Sequence, residues 1–132
     1  MTVTNASVNP RSRMLGIVLF AHGSRDPLWR KPVEAVAARM RERAPEVLIH
    51  CAYLELTEPD LRAATRDLVS QGAGAVRVVP MFLGVGRHAR EDLPLLMAEL
   101  KAHHPQVTFS LQEAIGEDQR LINLIADIAL TP

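Results

Sequence analysis

The sequence predicts an α/β fold: a four-stranded parallel sheet in the order 2-1-3-4, flanked by helices as a flavodoxin-like three-layer sandwich. Three observations predict it. Four short apolar runs alternate with four stretches of helical periodicity, which gives the order βαβαβαβα. The runs are apolar throughout rather than alternating, as in strands covered on both faces. Of the 132 residues, 48% are hydrophobic, enough for one buried core, so residues 14–132 are expected to form a single domain.

The first strand is Leu15 to Ala21 (LGIVLFA). The segment His22-Gly23-Ser24-Arg25-Asp26-Pro27 breaks its pattern. Asp26 suits a helix N-cap and Pro27 a first helical residue, so a helix is expected from there to about Arg43, with Val33, Val36, Ala37 and Met40 on one face. Val47 to Leu54 (VLIHCAYL) is the second strand, with Glu55 at its exit. Thr57 is the expected cap of a second helix that carries Leu61, Ala64, Thr65 and Leu68 to about Gln71, where Gly72 and Gly74 turn the chain.

Ala75 to Pro80 (AVRVVP) is the third strand, and Pro80, lacking an N–H, suits its end. Met81 to Arg90 is expected as a loop, given freedom by Gly84 and Gly86, with His88 near its close. A helix over Glu91 to His103 buries Leu93, Leu96, Met97 and Leu100. Val107 to Leu111 is the fourth strand. The last helix runs from about Asp118 to Ala129 and carries Leu121, Ile122, Leu124, Ile125 and Ile128.

Composition narrows the function classes. The 15 basic and 15 acidic residues cancel, so no global field points to nucleic acid. No apolar run is long enough to span a membrane. A single cysteine, Cys51, rules out an intramolecular disulfide framework and fits a reducing, cytoplasmic setting. Residues 1–13 are polar, lack the apolar region of a secretory signal and read as a flexible N-terminal tail.

Ligands of doubly wound sheets bind beyond the carboxyl ends of the strands. That rule selects His22 after the first strand, Glu55 after the second and His88 after the third. In the order 2-1-3-4 these strands are neighbours about 4.8 Å apart, so two imidazoles and a carboxylate converge on one mouth. Imidazole binds borderline divalent metals, and a two-histidine site leaves coordination positions open. A carboxylate can take up a proton. Arg25, Arg30 and Lys31 follow His22, and Arg87 and Arg90 flank His88, a basic rim suited to carboxylates. Gly84-Val85-Gly86 lacks the third glycine and the acidic partner of a dinucleotide fingerprint. His50 and Cys51 read as packing or interface residues, and His103 and His104 as residues at a helix C-terminus.

At these residues the sequence resembles the small sirohydrochlorin cobaltochelatases, class II chelatases of cobalamin biosynthesis. The matching segments are LFAHGSRDP (Leu19 to Pro27), AYLELTEP (Ala52 to Pro59), VVPMFLGVGRHAREDLP (Val78 to Pro94) and EAIGED (Glu113 to Asp118). The resemblance implies a chelatase-like fold and insertion of cobalt(II) into a sirohydrochlorin-type tetrapyrrole. It implies His22 and His88 as metal-site residues, and Glu55, with these histidines, as a catalytic group. Apart from the resemblance, Arg25 and Arg87 are expected to face substrate, Met81 and Phe82 to line a pocket wall or dimer contact, Gly86 to shape the loop, and Ser24 to cap the helix or touch substrate. The divalent metal is then a substrate rather than a permanently bound cofactor, and a chain of this length is expected to pair as a homodimer. Relatives with similar motifs insert iron or nickel, so these metals stand as alternatives.

Two readings of other classes compete. Histidine phosphatases also place His-Gly after a first strand, but with an arginine just before the histidine, where this chain has Ala21. A non-catalytic metal or tetrapyrrole carrier would need the same ligands as a chelatase.

Overall fold

The computed structural model describes residues 14–132; the N-terminal tail expected over residues 1–13 lies outside the described residues. The chain folds as β1 (Met14–Ala21), α1 (Lys31–Arg43), β2 (Leu48–Tyr53), α2 (Leu61–Ser70), β3 (Ala73–Pro80), α3 (Arg87–His103), β4 (Thr108–Leu111), a 3-10 turn (Ile115–Glu117) and α4 (Gln119–Leu130). The four strands form one sheet in the order β2-β1-β3-β4, all neighbours parallel, as the sequence predicts.

Alternate residues of the strands serve the two faces. On one face Val18, Phe20, Val76, Val78 and Phe109 pack against α2 and α3 through Leu61, Leu68, Leu93, Met97 and Leu100. On the other, Ile17, Leu19, Ile49 and Val79 meet Ala37 of α1, with Val33 and Met40 beside it. Gly16 through Ala21 are nearly all excluded from solvent, which explains the unbroken apolar run of β1. Val36, expected on the buried stripe of α1, is 41% exposed, and Ala37 is the buried residue of that helix.

Helix starts differ from the expectations. Asp26 caps only an isolated turn: its Oδ1 accepts from the Leu28 N–H at 2.9 Å and its carbonyl from the Trp29 N–H at 3.0 Å. The helix proper begins at Lys31 because Pro32 has no N–H to pair with a carbonyl one turn earlier, so it belongs in a first turn. α2 is capped by Asp60, whose Oδ1 accepts from the Ala63 N–H at 2.8 Å, while the Thr57 hydroxyl is used elsewhere. α3 starts at Arg87, four residues before the expected Glu91, behind an unassisted Gly86 cap. β3 begins at Ala73, so Gly74 lies within the strand, and Gly72 (φ +106°) alone makes the left-handed turn that ends α2.

α4 begins behind Asp118, whose Oδ1 accepts from the Arg120 N–H at 2.8 Å, but it buries none of its residues. Its apolar side chains are left on the surface, with Ile125 at 42% and Ile128 at 65% exposure.

Candidate functional site

β1 lies between β2 and β3, so the residue after it stands at the middle of the carboxyl edge. That residue is His22, and it is exposed. Its imidazole leans on the Phe82 ring, with centroids 4.4 Å apart. Phe82 is itself buried and meets Phe20 edge-on at 6.2 Å, so His22 rests on a support that reaches into the core.

The β1 and β2 exits are joined through their backbones. Leu54 N–H donates to the Ala21 carbonyl at 2.9 Å and Glu55 N–H to the His22 carbonyl at 3.0 Å, which carries the parallel ladder past both strands. Gly23 has φ +101°, and a Cβ there would lie 1.8 Å from the Glu55 carbonyl oxygen, so only glycine fits. Beyond it, the Thr57 hydroxyl donates to the Ser24 carbonyl at 2.6 Å and accepts from the Ser24 N–H at 3.0 Å. The Ser24 hydroxyl accepts from the Asp26 N–H at 3.0 Å, a turn-capping role. The two loops thus form one piece, and Glu55 is exposed at its surface. A cavity of about 620 Å³ opens beside Glu55, lined also by Leu56, Asp60 and Arg66.

The β3 exit is pinned on both sides. Met81 N–H donates to the Phe20 carbonyl at 2.7 Å, and the Met81 side chain packs, half-buried, with the core under α1. Gly116 N–H donates to the Phe82 carbonyl at 2.9 Å. A Cβ on Gly116 would lie 1.9 Å from the Leu83 carbonyl oxygen, so the 3-10 turn presses directly on this loop. Gly84 and Gly86, expected to supply conformational freedom, adopt no positive φ; among the described glycines that role falls to Gly23 and Gly72.

His88 lies in the first turn of α3, exposed, rather than in a loop. Arg25 is exposed, and Arg87 extends into solvent with its Nε 3.3 Å from Glu91. Of the predicted residues, the structure brings His22, Ser24 and Glu55 into one connected unit, places Met81 and Phe82 in the packing beneath it, and sets Gly86, Arg87 and His88 at the start of α3. Among the described residues, no three His, Cys, Asp or Glu side chains are grouped around one ion position. The expected convergence of His22, Glu55 and His88 on one ion position is therefore not formed by these side chains. Sequence reasoning missed Gly23, Thr57 and Gly116 as the residues that hold this edge together. The only available signal was their place inside HGSRDP, LELTEP and EAIGED.

Just below the edge, burial pushes the Tyr53 phenol up to about 12 and raises the Cys51 thiol above its ordinary value. His50 turns away to pair with Asp67 at 3.1 Å. His103 Nδ1 bonds the Glu99 carbonyl at 2.9 Å, at the end of α3.

The sheet order and the histidine-bearing carboxyl edge define a chelatase-like α/β protein. The CbiX family model matches residues 16–130, and the chain belongs to that family. It is 29% identical over 116 residues to the sirohydrochlorin cobaltochelatase of Sulfolobus acidocaldarius, covering 88% of this chain and 90% of that protein. A CbiX protein of Marinobacter aquaeolei VT8 superposes with a TM-score of 0.76 at 38% identity, over 87% of this chain and 93% of the other. The sirohydrochlorin chelatase SirB of Bacillus subtilis subspecies spizizenii, solved in complex with cobalt, gives a TM-score of 0.74 at 25% identity. The match spans 86% of this chain but 49% of SirB.

Proposed function

We propose that this protein is a sirohydrochlorin cobaltochelatase: it inserts cobalt(II) into sirohydrochlorin or a closely related tetrapyrrole. The observation that carries the reading is His22, exposed at the carboxyl edge of the central strand of a CbiX-family fold and braced on Phe82. In the reaction the ring gives up two pyrrole N–H protons and the ion exchanges water for ring nitrogens. His22 and His88 hold or guide the incoming ion. Glu55, or a histidine once the ion has left it, takes up the protons and passes them to solvent. The exposed guanidinium groups of Arg25 and Arg87 meet the substrate's carboxylates. A site with few protein ligands suits this handover, because a filled cage would retain the ion.

The protein is read as a cytoplasmic homodimer. SirB is about twice as long as the part this chain matches, and α4 leaves an apolar surface for a second copy. Among the described residues, no helix is long and apolar enough to cross a membrane.

The test is optical: the purified chain is given sirohydrochlorin with cobalt, iron or nickel in turn. Cobalt is expected to shift the ring's absorption fastest over the uncatalysed rate. The His22→Ala, His88→Ala double variant is expected to lose at least 100-fold in rate. A double variant of full activity rejects the histidine roles, and ring and metal binding without turnover favours a carrier.

A further inference from the structure

Outside α4, eight large apolar side chains are prominently exposed among the described residues, and five of them lie in the loops after β1, β2 and β3: Leu28, Trp29, Leu54, Leu56 and Leu83. Scattered exposed apolar residues are ordinary, but a concentration at one functional edge is not. Two of the five directly follow residues that touch His22. Leu56 follows Glu55 on the β2 side and is 55% exposed, and Leu83 follows Phe82 on the β3 side and is 69% exposed.

Leu56 also adopts an unfavourable backbone conformation. Thr57 N–H donates to the Glu55 carbonyl at 2.8 Å, closing a three-residue turn with Leu56 at its centre and φ +64°. This is the rarer, strained form of the γ-turn, and Leu56 is the one non-glycine residue with positive φ among the described residues. Glycine or asparagine would fit this backbone at lower cost. The ties of Glu55 to His22 and of Thr57 to Ser24 hold the turn closed, leaving a leucine fixed in solvent. Leu83 is held comparably, by the 3-10 turn against its carbonyl. Both side chains stand on rigid supports with no packing role that matches their size.

Resting on the chelatase reading above, we propose that Leu56 and Leu83 form an apolar clamp for the hydrocarbon face of the macrocycle. A tetrapyrrole carries carboxylates on its rim and a conjugated, apolar body. The arginines answer the rim, and the two leucines, each following a residue that touches the metal-handling His22, answer the body. Each leucine buried against the ring is expected to tighten binding about tenfold or more.

The test compares the wild type with Leu56→Gly and Leu83→Ala. Three quantities are measured: metal-free sirohydrochlorin binding by fluorescence titration, cobalt binding alone, and thermal stability. Both variants are expected to bind the ring about tenfold more weakly while cobalt binding changes less than twofold. Leu56→Gly is expected to melt no lower than the wild type, because glycine relieves the positive φ. That combination separates ligand contact from a structural role, which would lower stability and leave ring affinity alone. Either variant binding the ring as tightly as a wild type that binds it well overturns the clamp and leaves the chelatase reading standing. A wild type that does not bind the ring overturns both.

Discussion

Gly23 shows how much of the site rests on one missing side chain. Its φ of +101° is unfavourable for any other residue, and a methyl group would overlap the Glu55 carbonyl oxygen at 1.8 Å. Gly23→Ala must therefore part the β1 and β2 exits, and it is expected to cost about 2–4 kcal/mol of stability, read from denaturant unfolding. Chelation is expected to fall further than stability does, because His22 shifts with the loop. Tyr53, one strand residue below, gives a pH signal that can be assigned without ambiguity, since it is the only tyrosine in the chain. Its phenol is raised from 10.0 to about 12, so the neutral form is favoured in the fold. A raised acid contributes its stability below the unfolded value and loses it as pH climbs through the folded one. Stability is thus expected to decline as pH rises between about 10 and 12. Tyrosinate absorbance in the native protein should titrate near the top of that window, and Tyr53→Phe should flatten this part of the stability profile.

At the scale of elements, strands were more legible than helix starts. β1 through β4 follow from apolar runs because a parallel strand is buried on both faces and its composition says so. Helix starts depend on which of several capping side chains wins, and that competition is tertiary. Thr57 and Asp60 are both good caps, but Thr57 is drawn into two hydrogen bonds with Ser24, 33 residues away, and Asp60 takes the helix. The α3 start was missed for the opposite reason: Gly86 offers no side chain to signal a cap. The places of His22 and Glu55 at the carboxyl edge were legible, because they follow from strand ends alone. The role of the 3-10 turn was not, because a glycine chosen for close approach looks like any other glycine. Gly116→Ala tests that role. A Cβ 1.9 Å from the Leu83 carbonyl must push the β3–α3 loop away, and with it Phe82, the support of His22. Far-UV circular dichroism is expected to stay near that of the wild type, while the melting temperature falls and metal insertion drops by about tenfold or more.

At the scale of the molecule, the described residues leave one side of the fold uncovered. α4 carries Leu121, Ile122, Leu124, Ile125 and Ile128 along one broad face, and an apolar face of that width is normally buried. Here none of it is, and the helix leaves the body behind the 3-10 turn. A second copy supplies the cover most simply. Ile125→Glu puts a charge in the middle of this surface. In an isolated subunit the residue is already 42% exposed, so the substitution costs that subunit little. In a dimer it would bury an unpaired carboxylate, at a cost of several kcal/mol. Light scattering at micromolar concentration is expected to show a dimer for the native chain and a folded monomer for the variant. If the variant stays dimeric, α4 is not the contact. If the native chain is a monomer, the apolar helix needs a partner of another kind.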